Sequence, residues 1–112
     1  MSNRKIPDSV AKLTEEFVRE ISELYQERLD KVILFGSYAR GEQTEDSDID
    51  YLVVLNDHEI RPYTEISNMS EITFGLSLKY AVSVSAIPTT SSKLEAKLTP
   101  LMSNVYLDGI EI

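Results

Sequence analysis

The seven residues Ile49-Asp-Tyr-Leu-Val-Val-Leu55 constrain the fold more than any other stretch of the chain. Past Asp50 every side chain is apolar: Ile49, Tyr51, Val53 and Leu55 leave one side of an extended backbone, Leu52 and Val54 the other. A strand that is apolar on both sides is expected to be central in its sheet and not at the edge. A second strand is expected at Lys31–Phe35, a β-branched and aromatic run broken by Gly36. Both strands carry polar chemistry at one end only.

The remaining elements follow from periodicity. Asp8 or Ser9 can cap a helix whose apolar residues Val10, Leu13, Phe17, Ile21 and Leu24 recur every three or four positions, with Glu15, Glu16, Arg19, Glu20, Glu23 and Glu27 facing water. Its end is expected between Arg28 and Asp30. Pro62 suits the first turn of a helix reaching about Lys79, with Ile66, Met69, Thr73, Leu76 and Tyr80 on one face. A third strand is expected over Ala81–Ile87, ending at Pro88. Thr90–Leu98 reads as a short helix with Ser92 and Glu95 at capping-box spacing, and Thr99-Pro100 starts another that Gly109 stops. Residues 110–112 are too few to assign. Tyr38, Tyr51, Tyr63, Tyr80 and Tyr106 have few basic neighbours and read as packing residues with a polar tip.

Size and composition narrow the chemistry. A chain of 112 residues makes one small domain, without room for a second one to enclose a substrate. There is no cysteine and the one histidine is His58, which excludes disulfides, thiol nucleophiles and a His-based zinc centre. Carboxylates and hydroxyls remain. Eleven Lys and Arg against 19 Asp and Glu give a net charge of −8, which argues against direct nucleic-acid binding and for a basic partner or a metal–nucleotide complex. No long apolar run or signal peptide is visible, so the expectation is a cytoplasmic protein with no membrane partner.

The informative segment lies between the two strands. Gly36 permits a sharp turn in which successive N–H groups and the Ser37 hydroxyl can face phosphate oxygens, and a helical turn over Tyr38–Arg40 would add its positive end. Arg40 can pair with a phosphate. Asp48 and Asp50, two apart at the start of a strand, leave the same face and can share a divalent ion. Oxygen-only ligands select Mg²⁺ or Mn²⁺. Ser47 is expected to cap or brace the loop, and Glu45, Asp46 and His58 to be solvated loop residues.

This Gly-Ser pair, followed after ten residues by Asp-x-Asp, resembles the minimal nucleotidyltransferases of the DNA polymerase β superfamily. The likeness spans the chain and is strongest to the antitoxins paired with HEPN-domain toxins, through Gly36-Ser-Tyr-Ala-Arg-Gly41, Ser47-Asp-Ile-Asp-Tyr-Leu-Val-Val54 and Asn104-Val-Tyr-Leu-Asp-Gly-Ile-Glu111. It implies a single-domain α/β (α+β) nucleotidyltransferase fold over residues 1–112, a mixed sheet flanked by helices. It further implies that Gly36, Ser37 and Arg40 bind nucleotide, that Asp48 and Asp50 bind metal, and that Asp48, Asp50 and Ser37 form the catalytic set. The implied activity is transfer of AMP from ATP to a tyrosine of the HEPN-domain toxin, with Mg²⁺ (or Mn²⁺) as cofactor.

The family generally has a third carboxylate on a later strand. Here the matching strand offers Ser83 and Ser85. Two consequences follow: the acceptor is a phenol acidic enough to need no carboxylate base, or the chain neutralises its partner by binding alone. Transfer to a free small molecule is disfavoured by the length.

Overall fold

The structure is a computed structural model that describes residues 1–112. The first helix, α1, is Asp8–Tyr25; a 3₁₀ turn over Gln26–Arg28 leads into β1, Leu29–Phe35. The helix therefore stops three residues before Arg28. Gln26 takes φ +50°, and its N–H returns to the Ser22 carbonyl to close the last turn. A single helical turn, α2, spans Ser37–Arg40, followed by β2 at Ile49–Leu55 and α3 at Pro62–Tyr80. Then come β3 at Val84–Thr90, α4 at Ser91–Ala96, α5 at Pro100–Asp108 and β4 at Ile110–Glu111.

The sheet order is β3-β2-β1-β4, with β2 antiparallel to β1 and parallel to β3, and β4 antiparallel to β1. The sheet is thus mixed and flanked by helices, and the doubly apolar strand is internal to it, as its composition requires. One face packs Val32, Leu34, Ile49, Tyr51, Val53 and Leu55 against α1 and α3. The other packs Ile33, Leu52 and Val54 against Leu94 of α4 and Met102 and Val105 of α5. In the first layer Tyr51 stacks on Phe17 with ring centroids 4.1 Å apart, and its hydroxyl shares a 2.6 Å hydrogen bond with Thr14.

Four expectations change. The third strand lies three residues later than Ala81–Ile87, because Ala81 adopts a left-handed conformation (φ +55°) as the cap of α3. It runs through Pro88, which the sheet tolerates because β3 is an edge strand. Helix α4 is capped by the Thr90 side chain, which accepts from Lys93 N–H, and not by Ser92; Thr99 caps α5 as expected. In α1 the last inward position is Tyr25, and Leu24 is exposed. In α3 the buried residues are Glu65, Met69 and Leu76, while Ile66 and Tyr63 face outward. Glu65 is buried because Tyr25 Oη donates to its Oε1 at 3.0 Å and Arg28 to its Oε2 at 2.6 Å, and Arg28 is shared with Asp57. That cluster closes the sheet end opposite Gly36.

Candidate active site

The register of β1 and β2 places Phe35 opposite Asp50, so the bend that follows β1 starts beside the carboxylate that opens β2. Gly36 has φ +77° and ψ −156°, a backbone conformation open essentially to glycine alone. A Cβ built there would stand 2.5 Å from Asp50 Oδ2. Two separate demands, one on backbone and one on space, therefore hold this position as glycine. After the bend, Gly36 O accepts from Ala39 N at 3.1 Å and Arg40 N at 3.2 Å, starting α2. The N–H groups of Ser37 and Tyr38 lie in the first turn of α2, ahead of the bonds from Ala39 and Arg40.

Asp48 lies just ahead of β2 rather than within it, and Ile49 between the two carboxylates points into the α1/α3 core. Asp50 therefore emerges on the opposite face, the one that α4 and α5 cover further along the sheet, and Asp48 lies close enough for its charge to act on it. Burial, and next the charge of Asp48, push the Asp50 carboxyl above the usual range, while Arg40 pulls it back. The pair senses one another, and a cation between them would relieve both effects. The donor set fits Mg²⁺: oxygens only, like-charged, at the mouth of a strand. No third Asp, Glu, His or Cys joins them to make a group of three. Across β2, the residue paired with Asp50 in the parallel register is Ser85, and Ser83 O accepts from Ile49 N at 2.8 Å. Of the two serines, Ser85 stands where a third carboxylate could reach.

The loop from Gly41 to Asp48 is braced locally. Ser47 Oγ accepts from Thr44 N at 2.8 Å, and Ser47 N donates to Thr44 O at 3.1 Å, which is the bracing role expected of that serine. Arg40 is engaged by Glu42, Nε to Oε1 at 2.6 Å, so a phosphate would have to share it. Three contributors were not visible as site residues in the sequence. Leu101, Asn104 and Asp108 of α5 form, with Phe35, Gly36 and Arg40, a cleft of about 160 Å³ beside the bend. Nothing local marks them, since sheet order alone brings residues 101–108 next to residue 36. Arg4 is a fourth case, its guanidinium donating to the Arg40 carbonyl.

The glycine bend closes on Asp50 at the mouth of the strand, and the sequence matches the nucleotidyltransferase domain family over residues 14–105. The chain belongs to the nucleotidyltransferase family. This nucleotidyltransferase is 38% identical over 78 residues to "Putative protein adenylyltransferase MJ0141" of Methanocaldococcus jannaschii, a match covering 70% of this chain and 77% of that one. A likewise named protein of the same organism, MJ0604, is 37% identical over 87 residues, covering 78% and 80%. Among solved structures, one described as a toxin–antitoxin with AMP-PNP superposes with a TM-score of 0.60 at 24% identity, covering 87% of this chain and 70% of that one. Another, described as a "putative minimal nucleotidyltransferase", superposes with a TM-score of 0.57 at 24% identity over the whole of both chains. At these identities the structural likeness speaks for the fold. The reaction class of this nucleotidyltransferase is nucleotidyl transfer.

Proposed function

We propose that this nucleotidyltransferase moves AMP from ATP to a tyrosine hydroxyl of a HEPN-domain toxin and thereby silences it, with Asp48 and Asp50 as metal ligands and catalytic residues. The observation that carries the reading is the closure of the Gly36 bend on Asp50, with Asp48 alongside. The names of the Methanocaldococcus relatives support protein as the acceptor, and the toxin–antitoxin likeness supports a toxin as that protein.

In this reading Gly36 lets the chain approach the triphosphate closely, and the first-turn N–H groups and the hydroxyl of Ser37 hold its oxygens, with Arg40 turning from Glu42 to assist. Asp48 and Asp50 would hold Mg²⁺ or Mn²⁺, which supplies charge neutralisation on the phosphates and lowers the pKa of a bound hydroxyl. The acceptor oxygen forms a bond to the α-phosphorus as the bond from that phosphorus to the bridging oxygen breaks. Pyrophosphate leaves with the electron pair, and the phenol proton passes to solvent. Ser85 cannot act as a base near neutral pH. A phenol, with a pKa near ~10, needs far less help than an aliphatic hydroxyl, so the acceptor's own acidity replaces the absent carboxylate. What the chain provides is positioning and electrostatics.

The test is to incubate the protein with ATP, Mg²⁺ and the HEPN-domain product of the adjacent reading frame, then weigh that product. Addition of the mass of AMP, lost in Asp48→Asn, is the expected result; unchanged mass across a range of metals refutes the reading. Ser85 beside Asp50 is the one feature favouring a second reading, neutralisation by binding alone. In that case Asp48→Asn still protects cells from the toxin.

A further inference from the structure

Helix α3 is amphipathic in neither sense expected of a surface helix. Its inner face is buried through Met69 and Leu76, yet its outer face carries Tyr63 (88% exposed), Ile66 (43%), Phe74 (66%) and Leu78 (68%). At 100° per residue these four fall within one arc of about 120° turned away from the buried residues, with only Ser67, Ser70 and Ser77 between them. No charged residue interrupts the stripe from Tyr63 to Leu78, a length of roughly 22 Å at ~1.5 Å per residue. A soluble helix usually spends these positions on Lys and Glu. Scattered apolar residues need no explanation, but a continuous uncharged stripe does.

Gly75 adds an independent observation. It sits exposed in the interior of α3 beside the stripe and not within it, about 60° around the helix from Leu78 toward the groove that Glu71 and Lys79 also line, and glycine there weakens a helix relative to alanine. A Cβ there would meet nothing within 4 Å. Nothing inside this chain calls for glycine at that position, whereas close approach by another backbone would.

We propose that the outer face of α3 docks a partner protein through a helix bearing an apolar ridge flanked by Lys and Arg. Charge decides the occupant. The neighbouring helix on this side of the sheet, α1, has five acidic residues (Asp8, Glu15, Glu16, Glu20, Glu23) against Lys12 and Arg19; the groove between the helices is lined by Glu16, Glu20 and Glu71 together with Arg19 and Lys79, the last paired with Glu16, so the acidic excess lies along α1 more than in the groove itself. Two copies of this chain pairing through α3 would bring like charge together, with −8 on each. A partner with basic flanks gains both the apolar contact and the complementary field. The stripe lies on the α1/α3 side, away from the face on which Asp50 emerges, so docking leaves the nucleotide site open.

Because this inference rests on the reading that the chain works with a protein partner, the probe is the same HEPN-domain product, with binding measured by calorimetry in the absence of nucleotide. The double variant Phe74→Asp/Leu78→Asp should bind roughly a hundredfold more weakly, with its thermal midpoint unchanged because both side chains are solvated. Gly75→Met should raise the thermal midpoint and yet weaken binding at least tenfold, a combination that a purely structural role does not produce. Asp48→Asn should bind as tightly as the parent. Unchanged affinity in both α3 variants overturns the proposal, as does a self-dimer in sedimentation that the same substitutions dissolve, or the parent's failure to bind the probe. Binding that depends on α3 without AMP transfer would instead sink the transfer reading and leave the docking surface standing.

Discussion

Replacing Gly36 with alanine tests the joint between the phosphate bend and the carboxylates. Two costs are expected and they are separable. The backbone conformation, φ +77° and ψ −156°, imposes on any residue with a Cβ a strain of about 1–3 kcal/mol. The new methyl group would also stand 2.5 Å from Asp50 Oδ2, so the carboxylate must retreat by at least about 0.5 Å to reach a 3.0 Å contact. On the proposed reading, in which Asp50 is catalytic, a shift of about half the ~1 Å that costs a hundredfold lowers the rate by roughly tenfold. In a domain of this size the strain alone moves the thermal midpoint down by roughly 4–8 °C per kcal/mol. Urea unfolding of Gly36→Ala, Asp50→Ala and the double variant separates the two. With Asp50 cut back to its Cβ, the nearest remaining atom lies at 3.6 Å, ordinary contact distance, so the cost of Gly36→Ala should fall to the backbone strain. If the cost is the same in both backgrounds, the bend does not close on Asp50 and the geometric basis of the site is wrong.

Three further outcomes are expected. Without metal, Asp48→Asn should unfold at a higher temperature than the parent, because it removes the like charge acting on Asp50, while Mg²⁺ should stabilise the parent and not the variant in differential scanning fluorimetry. Tyr51→Phe leaves the Thr14 hydroxyl unpaired in the core and should cost about 1–2 kcal/mol in urea titrations. Burial raises the Tyr51 phenol to about 12; since the folded value lies above the unfolded one near ~10, its contribution is complete below pH ~10 and is lost as pH climbs toward 12, a loss that Tyr51→Phe should remove. Glu65→Ala strips a partner from Arg28 and Tyr25; with Arg28 43% exposed, the usual cost of breaking a buried pair is reduced to about 2–3 kcal/mol. Nucleotidyl transfer at 20 °C should not change, because the cluster sits at the other end of the sheet, and a large loss of activity in the folded variant would contradict that separation.

Local chemistry made much of this protein legible from its residues. The doubly apolar Ile49–Leu55 reads as an internal strand because side chains alternate along extended backbone whatever surrounds it, and Gly36 after a buried strand reads as a turn. Tertiary contact decided the rest. That Ser85 rather than Ser83 stands beside Asp50 depends on the β2/β3 register, which no local pattern encodes. The cleft wall at Leu101, Asn104 and Asp108 depends on where α5 packs. Burial of Glu65 in place of Ile66 was settled by Tyr25 and Arg28, groups about 40 residues away that repay the desolvation of a carboxylate through hydrogen bonds. Periodicity alone assigns an acid to water and an isoleucine to the core. It is overruled where distant residues supply the missing partners, and α3 shows the result: an acid inside and an apolar stripe outside.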